Sequence, residues 1–313
     1  MSLRNFFSGL MLFVPVLVSA GESGVPDQLE LTKVTDRVYS AIGETAPGTY
    51  ENNGHNNNLS FIITAKGVVV MNGGDNYLLA KALHNSIHSV TDKVVKYVVN
   101  ENGQGHAMLG NSYWRDQGVP IIAHEAAIEE FREHGDIKLA SMENRNKEKA
   151  EGTYVAVPDI GFSDRYDLDM GDVKIELRYF GPGHSPGDIA LWIPQDKLLI
   201  TGDLGFHQRL LAVFDDTDTG AWIESFDKMS EELDPEVVIP GHGEPTTLDV
   251  VTRETRGYLV FLRSAVIEIL ENGGGLDEAY NIDQSQWAYL DTFEELAGKN
   301  AGRVYQHLEF DYF

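Results

Sequence analysis

The sequence predicts an α/β protein built from two sheets packed face to face, with helices on the outside. Three observations lead there. Short β-rich runs alternate with amphipathic stretches in both halves, strands cluster while each half closes in helices, and no linker separates the halves. At 313 residues and 42% hydrophobic content, the chain can fill the core of such a sandwich as one unit. The expected organisation is a signal segment over residues 1–20, then one domain over 21–313 that ends in a helical extension.

Residues 31–43 read as an opening strand or hairpin anchored by Val34, Val38 and Tyr39. An Asn-rich loop follows around His55. The runs 60–64 and 68–71 flank Ala65-Lys66-Gly67, a hairpin signal. Residues 77–90 fit a helix with Leu78, Leu79, Ala82 and Leu83 near one face, and 94–99 fit a buried strand. A helix over 108–114, a strand over 119–123 and a long polar helical region over 125–151 complete the first half. In the second half, Val173, Ile175, Leu177 and Tyr179 alternate with Lys174, Glu176 and Arg178, the period of a half-buried strand. Two more strands, 188–193 and 197–200, are joined at Pro194-Gln195-Asp196. Trp222, Phe226 and Met229 form one helical stripe, and 237–239 a last strand. A long helix over 250–270 can end at Asn272-Gly273, and 293–308 reads as helical.

The N-terminus carries Arg4, an apolar run over 6–18 and the small residues Ser19-Ala20, the layout of a secretory signal. That run is short for a bilayer span, which needs ~20 residues, so a periplasmic or secreted protein without stable membrane insertion is expected. The net charge of −25 would be repelled by a phosphate backbone, which argues against a nucleic-acid partner and for a small-molecule one. Zero cysteines exclude disulfides, thiolate chemistry and Cys-ligated metal.

Chemistry concentrates in three Gly/Pro-rich turns, each after a predicted strand: Gly181-Pro182-Gly183-His184-Ser185-Pro186-Gly187-Asp188, Thr201-Gly202-Asp203, and Pro240-Gly241-His242-Gly243-Glu244-Pro245. Imidazole and carboxylate suit zinc and similar ions. The order and spacing of these segments resemble the metallo-β-lactamase superfamily over residues 34–270. The resemblance implies a four-layer αββα metallo-β-lactamase sandwich with its site along one edge. It also implies that His184 serves a first metal position, His242 a second, and Asp203 both, and that Asp188 supports the His184 turn. The family's earlier His-x-His-x-Asp-His element is rewritten here as Asn102-Gly103-Gln104-Gly105-His106-Ala107. Anchored on 98–100 before it and Gly110 after it, Asn102 and Gln104 stand for the first two histidines, His106 for the aspartate and Ala107 for the third histidine. A one-residue slip would instead put His106 at the third-histidine position.

Neutral amides are poor zinc ligands, so the first position is expected to be lost. The second keeps His106, Asp203 and His242, enough for one Zn2+ or another divalent ion with water, and Asp203 could orient or deprotonate that water. His55, Asn102 and Gln104 are cleft-lining candidates. His124 reads as a buried hydrogen-bonded residue, and His84, His88, His134, His207 and His307 as surface or packing residues. The implied activity is that of an exported metal-dependent hydrolase acting on an ester, lactone, lactam or related bond. Within the superfamily, the leader, Gly202-Asp203-Leu204-Gly205-Phe206 and residues 300–309 resemble periplasmic quinoprotein-associated zinc hydrolases. The rival class is a member that kept the scaffold and lost turnover, a small-molecule-binding or regulatory protein. An iron redox protein is a third.

Overall fold

The computed structural model describes residues 24–312, so the expected signal segment lies outside the described residues. The first half runs β1 (Thr32–Lys33), β2 (Val38–Ala41), β3 (Leu59–Thr64), β4 (Gly67–Met71), α1 (Tyr77–Val90), β5 (Val95–Val99), α2 (Gly105–Met108), α3 (Asn111–Asp116), β6 (Ile121–His124), α4 (Glu125–Asn146) and β7 (Ile160–Phe162). The second runs β8 (Arg165–Asp169), β9 (Lys174–Arg178), β10 (Ala190–Ile193), β11 (Leu198–Phe206), α5 (Thr219–Glu232), β12 (Val237–His242), α6 (Leu248–Val251), α7 (Tyr258–Glu271), α8 (Leu276–Tyr280) and α9 (Phe293–Tyr312). Strands β1 to β7 form one sheet in sequence order, and β12-β11-β10-β9-β8 form the other. Among the described residues, no helix is long and apolar enough to cross a membrane.

Strand alternation builds the four layers. In β3 to β6, Ile62, Val69, Met71, Val99 and Ile122 face inward and meet Ile175, Leu177, Leu191, Leu198, Ile200 and Ile239 of the second sheet. Their neighbours Phe61, Val68, Val70, Val98 and Ile121 face outward and are covered by Leu79, Leu83 and Ile87 of α1 and Trp114 of α3. On the far side, Ala190, Trp192, Leu199 and Val238 lie under Trp222, Phe226 and Met229 of α5, with Leu262 and Val266 of α7 and Val304 of α9. Trp114, Trp192, Trp222 and Trp287 are all core side chains. Each fully buried aliphatic or aromatic residue contributes roughly 1.5–3 kcal/mol of transfer free energy.

The opening segment is an antiparallel hairpin, and Thr64 pairs with Gly67 across Ala65-Lys66. Asn76 caps α1 by accepting from the Leu79 amide, and Gly273 stands just beyond α7 with φ +72°. The helix expected over 108–114 is two helices, α2 and α3. The break falls at Gly110, whose amide donates to Gly74 O at 2.6 Å and whose Cα lies too close to Gly73 O to carry a Cβ. The long helix over 250–270 contains a π turn at residues 252–257. There Thr255 Oγ1 accepts from Phe206 N at 2.8 Å, and buried Glu254 accepts from the amide of Gln208, which ties the end of β11 to the helix. The strands β7 and β8 were not expected.

Candidate metal centre

Parallel strands β4, β5 and β6 of one sheet and the parallel pair β11 and β12 of the other bring their C-terminal ends to one edge. The segment after β5 supplies Glu101, Asn102 and, at the start of α2, His106. β11 supplies Asp203 beyond a register shift at Gly202, and His242 ends β12. Gly202 has φ +53°, and a Cβ there would lie 2.7 Å from Glu101 Oε2, so only glycine lets the two sheets approach this closely. A Cβ on Gly241 would likewise meet Asp203 Oδ1 at 2.4 Å.

His106, Asp203 and His242 come together with ligand atoms all within 4.8 Å of one another. Asp203 is fully buried between the two imidazoles, with Oδ2 3.3 Å from His106 Nε2 and Oδ1 3.3 Å from His242 Nε2. Asn102 Nδ2 donates to Asp203 Oδ2 at 3.0 Å and to Asp188 Oδ1 at 3.1 Å, so a neutral amide joins two carboxylates at the first position. Gln104, half-buried, donates its backbone N–H to Asn102 Oδ1 at 3.0 Å and N-caps α2.

The Asn-rich loop reaches the site through its backbone and Asn58 rather than through His55. The Asn56 carbonyl accepts from His242 Nδ1, a shorter contact than the 3.2 Å from Arg209 Nη1 to the same nitrogen, so the proton goes to Nδ1 and Nε2 is left as a lone pair aimed at Asp203. Asn58 Nδ2 donates to Pro240 O at 2.8 Å and Gly243 O at 2.7 Å, clamping the His242 turn. His55 itself sits at Ala41 O, 3.3 Å away, in a different cavity that it shares with Glu30, Glu44 and Glu51. Burial lowers its pKa to about 4.

His184 is buried but stands apart from the three-residue cluster. Its ring packs against Phe206, Phe214 and Trp222, with centroids 5.6, 4.8 and 5.3 Å away. Its Nδ1 is without a hydrogen-bond partner among the described residues. Burial pulls its pKa down to about 4. Asp188 accepts from the Ser185 amide and braces that turn. His124 accepts from the Ala126 amide at 3.1 Å and meets Ser163 O at 2.7 Å, a capping role at α4.

Electrostatics separate the members of the cluster. Burial works against charge on His106, but the carboxylates of Asp203 and Glu101 outweigh it and raise its pKa to about 10. Burial by itself would lift Asp203, yet attraction from His106, then His242, holds it well below the usual carboxylate range. Since burial lowers His242 to about 4, the pull at neutral pH comes from His106. Asp188 is pushed well above the ordinary range by burial, then by Asp203.

Asp203 Oδ1 has no hydrogen-bond partner among the described residues. It faces a nitrogen that has no proton to donate, two lone pairs 3.3 Å apart in a dry site. A bound cation resolves that opposition: neutral His242 and ionised Asp203 are suitable donors as they stand, and His106, protonated between the carboxylates, becomes one on releasing its Nε2 proton.

Three residues at this site went unread in the sequence: Glu101, Asn58 and Arg209. Glu101 is 1% exposed, with Oε1 3.1 Å from His106 Nε2. Arg209, 9% exposed, packs 3.2 Å from His242 Nδ1 and donates to Ala46 O at 3.3 Å. Glu101 directly precedes the rewritten motif and Arg209 follows Phe206 closely, which was the available signal, while Asn58 lies in the Asn-rich loop far from any motif position.

The metallo-β-lactamase superfamily model matches residues 106–242, the span from the first to the last member of this cluster. The type 2 metallo-β-lactamase of Bacteroides fragilis is 23% identical over 77% of this chain and 90% of its own length. The linear primary-alkylsulfatase of a Pseudomonas species is 20% identical over 68% of this chain and 47% of its own length. Among solved structures, a sec-alkylsulfatase from Pseudomonas covers 91% of this chain and 50% of its own, with TM-score 0.70 at 17% identity. A metallo-β-lactamase from Pontibacter korlensis covers 74% and 99%, with TM-score 0.60 at 19% identity. The two sheets and their helices are those of the metallo-β-lactamase fold. The family match over residues 106–242, these relatives and the shared fold together support a place in the metallo-β-lactamase superfamily.

Proposed function

We propose that the protein is an exported metal-dependent hydrolase that works with a single ion, zinc or a similar divalent metal, at His106, Asp203 and His242. One observation carries this reading: buried Asp203 presents one oxygen to each imidazole, and the His242 nitrogen it faces is a bare lone pair. The amide of Asn102 between Asp188 and Asp203 supports one ion rather than two. When bound, such an ion lowers the pKa of its water toward ~7 and polarises a substrate oxygen. Asp203 is kept ionised and is held by Asn102, so its carboxylate can accept a hydrogen bond from that water and orient it. A cavity of about 360 Å³ beside His106 sets Leu109, Ile137 and Met142 among the polar groups of Asn56, Asp75 and Ser141. Its cations are already paired, Lys138 with Glu130 at 2.9 Å and Arg145 with Asp75. That lining suits a small substrate with an apolar group next to an ester, lactone, lactam or sulfate-ester bond, and both kinds of named relative fit within that range. The apolar run at 6–18 supports export.

A second reading, a small-molecule-binding protein without turnover, is favoured by Arg209. This guanidinium makes no ion pair among the described residues and puts a fixed positive charge against His242. Elemental analysis of protein purified without chelators decides between them. About one divalent ion per chain, with hydrolysis in an ester, lactone, lactam and alkyl-sulfate screen, supports the hydrolase. No ion after incubation with zinc, manganese or iron refutes it.

A further inference from the structure

Glu101 is a buried carboxylate beside this cluster that neither the rewritten motif nor the three-residue ligand set uses. It leaves β5 directly before Asn102 and is 1% exposed. Oε1 lies 3.1 Å from His106 Nε2, the same nitrogen that stands 3.3 Å from Asp203 Oδ2. Oε2 is buried and has no hydrogen-bond partner among the described residues. Its oxygens fall outside the group whose ligand atoms all lie within 4.8 Å of one another, so sharing the ion takes a turn of the Glu101 side chain from its hydrogen bond with His106 to another rotamer. The backbone is shaped around this side chain: Gly202 lies against it in the left-handed region, where a Cβ would collide with Oε2 and Cβ of Glu101 at 2.7 and 2.9 Å. A buried carboxylate with an unsatisfied oxygen is costly to keep unless a cation compensates it.

We propose that Glu101 is a protein ligand of the same ion, so that the donor set is Glu101, His106, Asp203 and His242. This rests on the single-ion reading above. Glu101 then adds one donor to a site where Asn102, Gln104 and Ala107 supply no imidazole. The two carboxylates match the charge of a divalent cation. An extra oxygen donor in place of nitrogen moves the site toward manganese and iron(II) while still accepting zinc.

The test titrates metal-free full-length wild type, Glu101→Gln and Glu101→Asp with Zn(II), Mn(II) and Co(II), and records the Co(II) d–d spectrum. Gln keeps an acceptor for His106 and nearly the same volume, so it removes the charge without removing the hydrogen bond. Expected results are an affinity loss of about 100-fold in Glu101→Gln, larger for Mn(II) than for Zn(II), and an altered Co(II) spectrum. Wild-type affinity and an unchanged spectrum in both variants would overturn the proposal and leave Glu101 as a charge partner of His106. If neither variant folds, a crystal structure of the zinc-loaded wild type decides. A Glu101 oxygen at about 2.0–2.2 Å from the ion supports the assignment, and one beyond about 3 Å defeats it. Wild type that binds none of the three metals defeats the single-ion reading itself, and this inference with it.

Discussion

Asp203→Asn separates a metal site from a buried hydrogen-bond network, because the amide can satisfy one and not the other. Asp203 Oδ2 accepts from Asn102 at 3.0 Å and meets His106 Nε2 at 3.3 Å, while Oδ1 meets His242 Nε2 at 3.3 Å. An asparagine placed with its oxygen toward Asn102 and His106 turns its NH2 toward His242, whose Nε2 is a lone pair because Nδ1 donates to Asn56 O. Every polar contact is then met, and the Oδ1 position, unsatisfied in the wild type, gains a partner. The metal-free variant should therefore fold, at a loss of about 1–3 kcal/mol, because Glu101 remains to balance the His106 charge. Metal binding should behave differently. Zinc bound by four protein ligands is worth about 10–16 kcal/mol, or roughly 3 kcal/mol per ligand, so loss of one weakens binding by roughly 10²-fold. Calorimetric titration of metal-free protein with zinc at pH 7.5 reads the affinity. Urea unfolding with and without zinc reads the linked stabilisation, about 2.7 kcal/mol in wild type at 100 times Kd and close to zero in the variant at the same concentration. Undiminished zinc affinity in Asp203→Asn would refute the ligand assignment. A variant that fails to fold without metal would refute the hydrogen-bond argument, and would mean that the Asp203 charge serves to balance His106 and Arg209.

Replacing Asn102 with Ala leaves Asp188 Oδ1 and Asp203 Oδ2 without their shared donor, and urea unfolding of metal-free protein should show a loss of about 2–4 kcal/mol. Gly202→Ala puts a Cβ 2.7 Å from Glu101 Oε2 at φ +53°, so a loss of about 1–3 kcal/mol and a lowered Tm are expected. His184 is held neutral with a pKa of about 4 against an unfolded value near 6.5, so the unfolded chain binds the extra proton. Its contribution is intact above pH 6.5 and is lost as pH falls toward 4, by about 3 kcal/mol, and His184→Gln should flatten that limb of the stability profile. The same His184→Gln protein should keep zinc affinity within about threefold of wild type if the ion sits at the second position, since His184 stands outside the cluster.

The layers were legible where one physical signal dominated. β3 and β4 are buried β-branched runs around a two-residue turn, and α1 carries its apolar residues at helical spacing behind an Asn cap. β8 was not legible, because Arg-Tyr-Asp-Leu-Asp buries only Leu168 and spends its other side chains on an exposed sheet edge, where charge discourages further pairing. At the site, Asp203 and His242 could be read because Gly/Pro turns after strands announce side chains held at a sheet edge. Glu101 could not, because a motif frame that starts at Asn102 assigns the residue before it to the end of a strand. The Asn-rich loop misled for a related reason. Composition marks it as a solvated turn with one histidine worth noting, whereas the fold buries Asn57 and Asn58 and uses the Asn56 carbonyl to set the tautomer of His242. Both omissions have one cause. Motif reading finds side chains that can ligate, but the protonation of those side chains is set by partners far away in sequence, here 186 residues from Asn56 to His242. Loss of imidazoles from a motif therefore does not by itself measure loss of a metal site. What counts is whether the remaining nitrogen lone pairs face carboxylate oxygens without protons between them, as His242 Nε2 and Asp203 Oδ1 do here.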